Sequence, residues 1–366
     1  MEILIYRNLT SKTMKKMFEK NKQEQTGGDN STNIQAGTVI VNGITYEQAH
    51  QIALDVFRSN ALVLAGEAKD IATARAEQIT ERFLKDLAEK NPSALQSASD
   101  PDFQHSVFEA QKAFARSGDE NLEDILVNLL NNRASEPTRN LKQVVLNEAI
   151  TVSSKLTSSQ INTITLLFRI RHTVRHGLLT IQNLADLITN EVLPFFEGMP
   201  EGEQTYRYLA FTGVATVEMN QINFIQLLRQ VYQGVLSKGI DEATMNQFIT
   251  EEPKIKNLFV KLNNEAENFH LLISTQEQLE TALKSIGSSE ELISRVKNLL
   301  LSNQMSDEEV KSQLVAFNPK IQELIDIWDK SSAKQTVLTP VGMAIGHANA
   351  TKHGTLIGSP LEIWVN

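Results

Sequence analysis

The feature that most constrains this chain is a helical repeat that runs from Tyr46 to about Lys90. Over this stretch the sequence has no proline, its strongest break is Gly66, and apolar residues recur at steps of three, four and seven. The apolar stripe comprises Ala49, Ile52, Val56, Leu64, Ala68, Ile71, Ala72, Ile79, Phe83 and Leu87. An unbroken helix here would be about 65 Å long. Because that far exceeds an ordinary globular helix, we predict a long antiparallel helical hairpin or an intersubunit bundle.

The rest of the chain also favours helices. Apolar residues make up 41% of its 366 residues and prolines number nine, so a sizeable core is expected and full disorder is excluded. Shorter helical patterns follow Pro92, with start signals at Asp119, at Thr157 or Ser158, and at Ser306, and a stop signal at Gly118. We therefore predict a mainly α, multi-helical fold.

Two features divide the predicted helical region. Proline, glycine and acidic residues cluster at 194–202, which predicts a boundary between helical domains at 47–193 and 203–366. Near the C-terminus, QTVLT has the pattern of a short strand before a helix that begins near Pro340, and the final PLEIWV has the pattern of another strand. These two strands could pair into a small terminal sheet.

The N-terminal 32 residues differ from the rest. Five lysines between Lys12 and Lys22 alternate with Met14, Met17 and Phe18, and the polar run EQTGGDNST follows. This composition is typical of a disordered, solvated tail. The alternative is an amphipathic helix that touches an anionic membrane surface.

Residues 33–46, NIQAGTVIVNGITY, predict a β-hairpin. Val39 and Val41 favour a strand, Asn42-Gly43 favours a tight turn, and Ile44 begins the return strand. Thr45 and Gln48 have the spacing of a capping box, so a helix should follow directly. A lone hairpin is marginal in water. It must either dock on its own helical body or join hairpins of other subunits.

The densest polar cluster is RIRHTVRHG, which includes Arg169, Arg171, His172, Arg175 and His176. The predicted helix runs through this cluster and is closed by Gly177. His172 and His176 would then share one face as a zinc pair would, and Arg171 and Arg175 would share a neighbouring face that could hold a phosphate. The alternative is a helix C-terminus whose cations complement the helix dipole.

Several classes of function are disfavoured. The chain has no phosphate-loop, dinucleotide-binding or nucleophile-elbow motif, and we expect no catalytic residue, cofactor or resident metal. A net charge of −9 disfavours nucleic acid as a partner. The absence of cysteine and of an apolar N-terminal stretch predicts a cytoplasmic protein.

The phrases NIQAG, VNGITYEQAHQIALDVFRSN and the closing LTPVGMAIGHAN resemble a family of uncharacterised bacterial helical proteins. This resemblance implies a bacterial origin and no particular activity. The stretch GDNSTNIQAGTVIVNG is also similar to oligomerising motifs of bacterial immune proteins, in which an I-Q-x-G core stacks through β pairing. On that similarity the assembly residues would be Ile34, Gln35 and Gly37.

These observations lead to one main hypothesis and two alternatives. The main one is a non-enzymatic, self-associating protein that acts as a sensor, scaffold or effector in bacterial anti-phage defence or stress response. Its partner would be itself, with another protein as a second candidate partner, and the self-association would use Ile34, Gln35, Gly37, Val39, Val41, Asn42, Gly43 and Ile44. The alternatives are an enzyme whose site includes Arg171, His172, Arg175 and His176, and a membrane-acting effector that uses the basic tail.

Overall fold

A computed structural model describes residues 44–60, 66–261, 268–273, 275–355 and 359–365. The described chain is mainly α, as predicted, with two small two-stranded sheets. Its helices are α1 (Tyr46–Asn60), α2 (Glu67–Lys90), α3 (Pro101–Ser117), α4 (Glu120–Ala134), α5 (Leu141–Ser153), α6 (Ser158–Arg171), α7 (Ile181–Leu187), α8 (Glu203–Phe211), α9 (Phe224–Val231), α10 (Glu242–Glu251), α11 (Gln276–Ser285), α12 (Glu290–Ser302), α13 (Asp307–Phe317), α14 (Lys320–Lys330) and α15 (Pro340–Lys352). The strands are β1 (Ala215–Val217), β2 (Phe259–Lys261), β3 (Phe269–Leu271) and β4 (Thr336–Leu338).

The N-terminal helical run is two helices rather than one. Gly66 precedes α2 with φ +57°, a conformation that glycine adopts without the strain of a Cβ atom. Phe57 near the end of α1 packs with Ala72 in the first half of α2, whereas Ala49 near the start of α1 lies beside Phe83 in the second half of α2. The two helices are therefore antiparallel, and the structure shows the predicted helical hairpin rather than one unbroken helix of about 65 Å.

The start of α1 follows the predicted capping box. The Gln48 backbone N–H donates to Thr45 Oγ1 over 3.2 Å, and the Thr45 N–H donates to Gln48 Oε1 over 2.9 Å. Ile44 and Tyr46 pack against the helical core of the same chain. The rest of the predicted hairpin, residues 33–43, and the predicted tail, residues 1–32, lie outside the described residues.

Helix α15 lies at the centre of the fold and packs against α4, α5 and α6. A helix surrounded on all sides should be apolar or small on every face, and the sequence PVGMAIGHANA fits this. Gly346 permits a close approach to α6, because a Cβ atom there would lie 2.8 Å from Cβ of Phe168. Helix α15 therefore completes the core.

One large core extends over most of the described chain. It includes Phe83 of α2, Leu146 of α5, Phe168 of α6, Phe224 of α9 and Trp328 of α14. Residues on both sides of segment 194–202 contribute to it. A domain boundary at that segment, which stays a prediction, would cut through this core.

The predicted terminal strand pair is wrong in its second member. The QTVLT strand exists as β4, but it pairs antiparallel with β1, which brings Ala215 opposite Leu338. PLEIWV instead forms a 3₁₀ turn at Leu361–Ile363. Glu362 in that turn pairs with Lys142 of α5, and this contact holds the segment against a helix rather than against β4.

Residues 238–303 form an insert with a core of their own. The chain leaves the helical body and returns to it along one short antiparallel bridge, Ser237 to Gln304. The Lys238 N–H donates to the Asn303 carbonyl oxygen over 2.8 Å, and the Met305 N–H donates to that of Leu236 over 2.9 Å. The insert core comprises Ile240, Met245, Phe248, Ile255, Phe259, Leu279, Leu283, Leu292, Ile293, Val296 and Leu300. We call the rest of the described chain the helical body.

Candidate functional site

Helix α6 ends earlier than the sequence predicts. Its last residue is Arg171, and residues 172–177 form an irregular turn. Two tertiary hydrogen bonds occupy backbone groups there: Trp364 Nε1 donates to the His172 carbonyl oxygen over 2.6 Å, and the Arg175 N–H donates to the Tyr232 hydroxyl oxygen over 3.2 Å. His172 and His176 are therefore not one turn apart on a helix, and the face predicted for a zinc pair does not form.

The predicted cluster divides between two sides of α6. Arg171 stacks its guanidinium 5.1 Å from the centre of the Trp328 ring and donates to the Ala333 carbonyl oxygen over 3.2 Å. Burial lowers its pKa. Arg171 thus packs against the core beside α14, away from His172 and Arg175, and the predicted pair of Arg171 with Arg175 is wrong.

The other four members of the cluster, Arg169, His172, Arg175 and His176, line a cavity of about 600 Å³. The cavity lies where the end of α6 meets α7, the end of α9 and the described residues that follow α15, namely 354–355 and 359–364, which we call the C-terminal segment. Its walls are formed by Arg169, His172, Thr173, Val174, Arg175, His176, Leu187, Val192, Tyr232, Gly354, Thr355, Ser359, Ile363 and Trp364. This cavity is the candidate site, and we call it the Arg169 cavity.

Two arginines of the cavity share one carboxylate. Glu191 receives a hydrogen bond from Arg169 on Oε2 and one from Arg175 on Oε1. The Arg169 side chain is only 5% exposed, whereas that of Arg175 is 51% exposed. Glu191 lies in a π turn at Ile188–Val192, a local widening of the helix that is frequent at functional sites. Burial lowers the pKa of Arg169, and the Glu191 charge opposes that shift.

His172 and Arg169 each retain an unused ring or guanidinium nitrogen. His172 stacks on Phe168, and burial, aided by the Arg171 charge, lowers its pKa to about 4. Its imidazole is therefore neutral at pH 7. Among the described residues, neither His172 Nε2 nor Arg169 Nε has a hydrogen-bond partner, and both atoms are buried. Such atoms carry a desolvation cost of roughly 1–3 kcal/mol unless a ligand or water pairs with them.

The C-terminal segment supplies the aromatic wall. The Trp364 ring lies edge-on to Phe168 at 5.0 Å and 5.4 Å from His347, measured between ring centres. His347 Nε2 donates to the Ser359 carbonyl oxygen over 2.9 Å, and burial lowers the pKa of His347. These contacts fix the last described turn of the chain against α6 and shape the cavity.

His176 connects the cavity to the insert. It is exposed, and its Nδ1 lies 3.1 Å from Nε2 of Gln278 on α11. The rim of the cavity therefore includes a contact between the helical body and the insert.

Sequence reasoning found His172, Arg175 and His176, which share one short segment. It missed Glu191, Tyr232 and Trp364, because each is far along the chain and no spacing relates it to α6. The one available signal was the density of charge around Arg169. Of the predicted assembly residues, Ile44 alone lies within the described residues, where it packs on the core.

Within the part of the chain that the structure describes, no group of three or more histidine, aspartate or glutamate side chains could hold a metal ion. No described helix is both long enough and apolar enough to cross a membrane.

Comparison with known proteins gives a family and no annotated relative. No curated protein and no solved structure matches the chain. One family model, whose description reads ":-like", matches residues 43–365, nearly the whole chain and all of the Arg169 cavity. The chain therefore belongs to this ":-like" family.

Proposed function

We propose that the protein is a non-enzymatic, self-associating sensor that binds a small molecule in the Arg169 cavity. The observation that carries this proposal is the pairing of a cavity of about 600 Å³ with two buried nitrogens, Arg169 Nε and His172 Nε2, that have no partner among the described residues. Small-molecule sites are typically concave, mostly apolar and furnished with a few convergent polar groups. The Arg169 cavity is richer in polar groups than this, but it combines the apolar side chains of Val174, Leu187, Val192, Ile363 and Trp364 with the polar groups of Arg169 and His172.

The output of the sensor would be assembly. Support comes from the strand and turn pattern of residues 33–46 and from its similarity to oligomerising motifs of bacterial immune proteins. On this proposal the protein is cytoplasmic and bacterial, and ligand binding regulates self-association during phage infection or a related stress.

The binding proposal can be tested with thermal unfolding of the full chain in the presence of a panel of anionic, cationic and neutral small molecules. Val174 lines the cavity and is 43% exposed, so Val174→Trp should narrow the cavity without disturbing the core. Val144 on α5 is also 43% exposed and lies outside the cavity, which makes Val144→Trp the matched control. A ligand that stabilises the wild type and Val144→Trp but not Val174→Trp supports the site. If no member of the panel raises the melting temperature, the proposal is wrong.

The assembly proposal needs a separate measurement. Light scattering would give the solution mass of the intact chain, of a chain that begins at Ile44, and of Val39→Asp/Val41→Asp in the intact chain. Truncation should stop before Ile44, because Ile44 and Tyr46 pack on the core. A defined oligomer that both changes dissociate supports assembly through residues 33–43. An unchanged mass in both variants would remove this part of the proposal.

An enzymatic function is the second candidate, and the neutral, unpartnered ring of His172 is the observation that favours it. A pKa of about 4 makes His172 a weak general base at pH 7, however, since efficient bases have a pKa near the working pH. The membrane alternative depends on residues 1–32. Liposome sedimentation with and without these residues tests it.

A further inference from the structure

The charges around the Arg169 cavity favour an anion. Among the described residues that form its walls are Arg169 and Arg175, and none of these described residues is an aspartate or a glutamate. Glu191, behind the wall, neutralises one of the two positive charges. His172 is neutral at pH 7, and so is Tyr232, because burial raises its pKa. The cavity therefore has a net charge of about plus one.

The geometry indicates which kind of anion would fit. Glu191 spans the two arginines with one oxygen on each, which is how paired guanidinium groups bind a carboxylate or a phosphate. Arg169 Nε remains unpaired beside this contact. Glu191 thus lies where a ligand oxyanion could contact both arginines, and it belongs to a π turn, a feature that is frequent at functional sites.

The remaining walls favour an apolar group on the same ligand. Val174, Leu187, Val192, Ile363 and Trp364 line the cavity beside the arginines. Trp364 and Val192 are held by the core, since Trp364 packs on Phe168 and Val192 is 5% exposed. An aromatic or aliphatic body would find a preformed apolar surface there.

We infer that the Arg169 cavity binds a small oxyanion with an apolar body, a carboxylate or a phosphate monoester, in competition with Glu191. This inference rests on the proposed sensor function and narrows its ligand to one chemical class. Arg169 and Arg175 bind the oxyanion, and the Trp364 wall contacts the apolar body.

Isothermal titration calorimetry on the full chain tests the class with four probes. Benzoate and phenyl phosphate carry the oxyanion, benzamide is the neutral counterpart of benzoate, and benzylamine is its cationic counterpart. We expect benzoate or phenyl phosphate to bind at one site per chain, and the other two probes to bind at least about tenfold more weakly. Between the two oxyanions, the tighter one identifies the headgroup that the arginines prefer.

Two variants test the role of Glu191 and the arginines. Glu191→Gln removes the competing charge and should tighten oxyanion binding about tenfold, while Arg175→Gln removes a guanidinium and should weaken it about tenfold. The matched controls come from the surface pair of Arg295 and Glu251 on the insert. Glu251→Gln and Arg295→Gln change the net charge by the same amounts and should leave binding unchanged.

The outcomes separate the inference from the proposed function. Benzamide binding as tightly as benzoate would overturn the oxyanion class, as would a Glu191→Gln variant that binds more weakly, and a sensor of another ligand would remain. No ligand at all in the wider panel would overturn both. If Glu191→Gln fails to fold, the Arg175→Gln variant provides the test, because Arg175 is half exposed. Unchanged oxyanion binding by Arg175→Gln would contradict the inference.

Discussion

The helical body and the insert differ in how deeply they bury charged side chains. The body buries ionic groups: Arg133 is 0% exposed, Glu123 is 1% exposed, and Lys142 and Arg169 are each 7% exposed. In the described part of the insert, the pairs of Glu280 with Lys284 and Lys297 lie at the surface. The insert therefore depends on its apolar core, whereas the body adds buried ionic contacts to a larger one.

Arg133 illustrates what the buried contacts do. Its guanidinium donates to Asp102 Oδ2 over 2.8 Å, to Asn147 Oδ1 over 2.7 Å and to Asp100 Oδ2 over 3.2 Å. These bonds join the start of α3, the end of α4 and the middle of α5 at one point. Buried ion pairs add little net stability, but an unpaired partner is costly. The Arg133 hydrogen bonds thus fix the positions of three helices of the body relative to one another.

Matched core truncations should show the largest difference between the two regions. Leu146 in the body and Leu279 in the insert are both 0% exposed, so Leu146→Ala and Leu279→Ala should each cost about 2–5 kcal/mol. We expect Leu146→Ala to lower protection from hydrogen exchange throughout the body. Leu279→Ala should raise exchange mainly within residues 238–303, because that region has its own core. Equal loss of protection in the body from both variants would show that the two regions unfold together.

The next effect is a pH dependence specific to the body. Burial holds the pKa of His172 at about 4, against about 6.5 for an unfolded histidine. Between these values the unfolded chain binds more protons than the folded one, so this contribution is complete above about pH 6.5 and is lost as the pH falls through 4. It amounts to at most about 3 kcal/mol. Burial also lowers the pKa of His347 and His353, which act in the same direction.

Chemical denaturation at pH 7.5 and pH 5 measures this contribution. The wild type should lose more stability than His172→Gln between the two values, because glutamine does not titrate. A variant that loses as much as the wild type would show that His172 is not the group responsible. Hydrogen exchange within the insert serves as the internal reference for this comparison.

Replacing one glycine in each region by alanine should give a smaller difference in stability between the body and the insert. Gly346→Ala would place a Cβ atom 2.8 Å from Phe168 between two rigid helices, and such overpacking costs about 1–3 kcal/mol. Gly287 in the insert has φ +86°, and a Cβ atom added there would have no atom within 4 Å. Gly287→Ala should therefore cost only the backbone strain of about 1 kcal/mol. Urea denaturation measures the first effect and hydrogen exchange of α11 and α12 the second. A larger loss in the insert variant would contradict the difference in packing between the regions.

The sequence predicted the parts of this fold that local chemistry determines. Asp119, Thr157 and Ser306 cap their helices through their own side chains, as expected. The end of α6 was misjudged because distant Trp364 and Tyr232, rather than a local stop signal, engage the backbone there. The sequence also did not predict the pairing of β4 with β1, because the two strands lie far apart along the chain.

The candidate site was only partly predictable for the same physical reason. Charge density identified the segment that holds His172 and Arg175, but the orientation of each side chain depends on which helix packs beside it. The Arg171 side chain packs on Trp328. Glu191 belongs to a π turn and follows Arg169, the residue that it contacts, by 22 residues along the chain, at a position that matches no motif. Helix capping is a local property, whereas the site depends on tertiary contacts.

The smallest expected effect concerns the surface charges of the insert. Hydrogen bonds from Lys284 and Lys297 lower the pKa of Glu280 to about 2. A carboxylate with a lowered pKa stabilises the folded state above its unfolded pKa of about 4.3, and loses this effect as the pH falls towards 2. Because solvent screens exposed pairs, Glu280→Gln should change the stability of the insert least of all these variants. NMR titration of the Glu280 carboxylate should show a higher pKa in Lys297→Met than in the wild type. An unchanged pKa would mean that Lys297 does not hold the carboxylate in solution, and a strong loss of stability in Glu280→Gln would contradict the view that the insert depends on its apolar core.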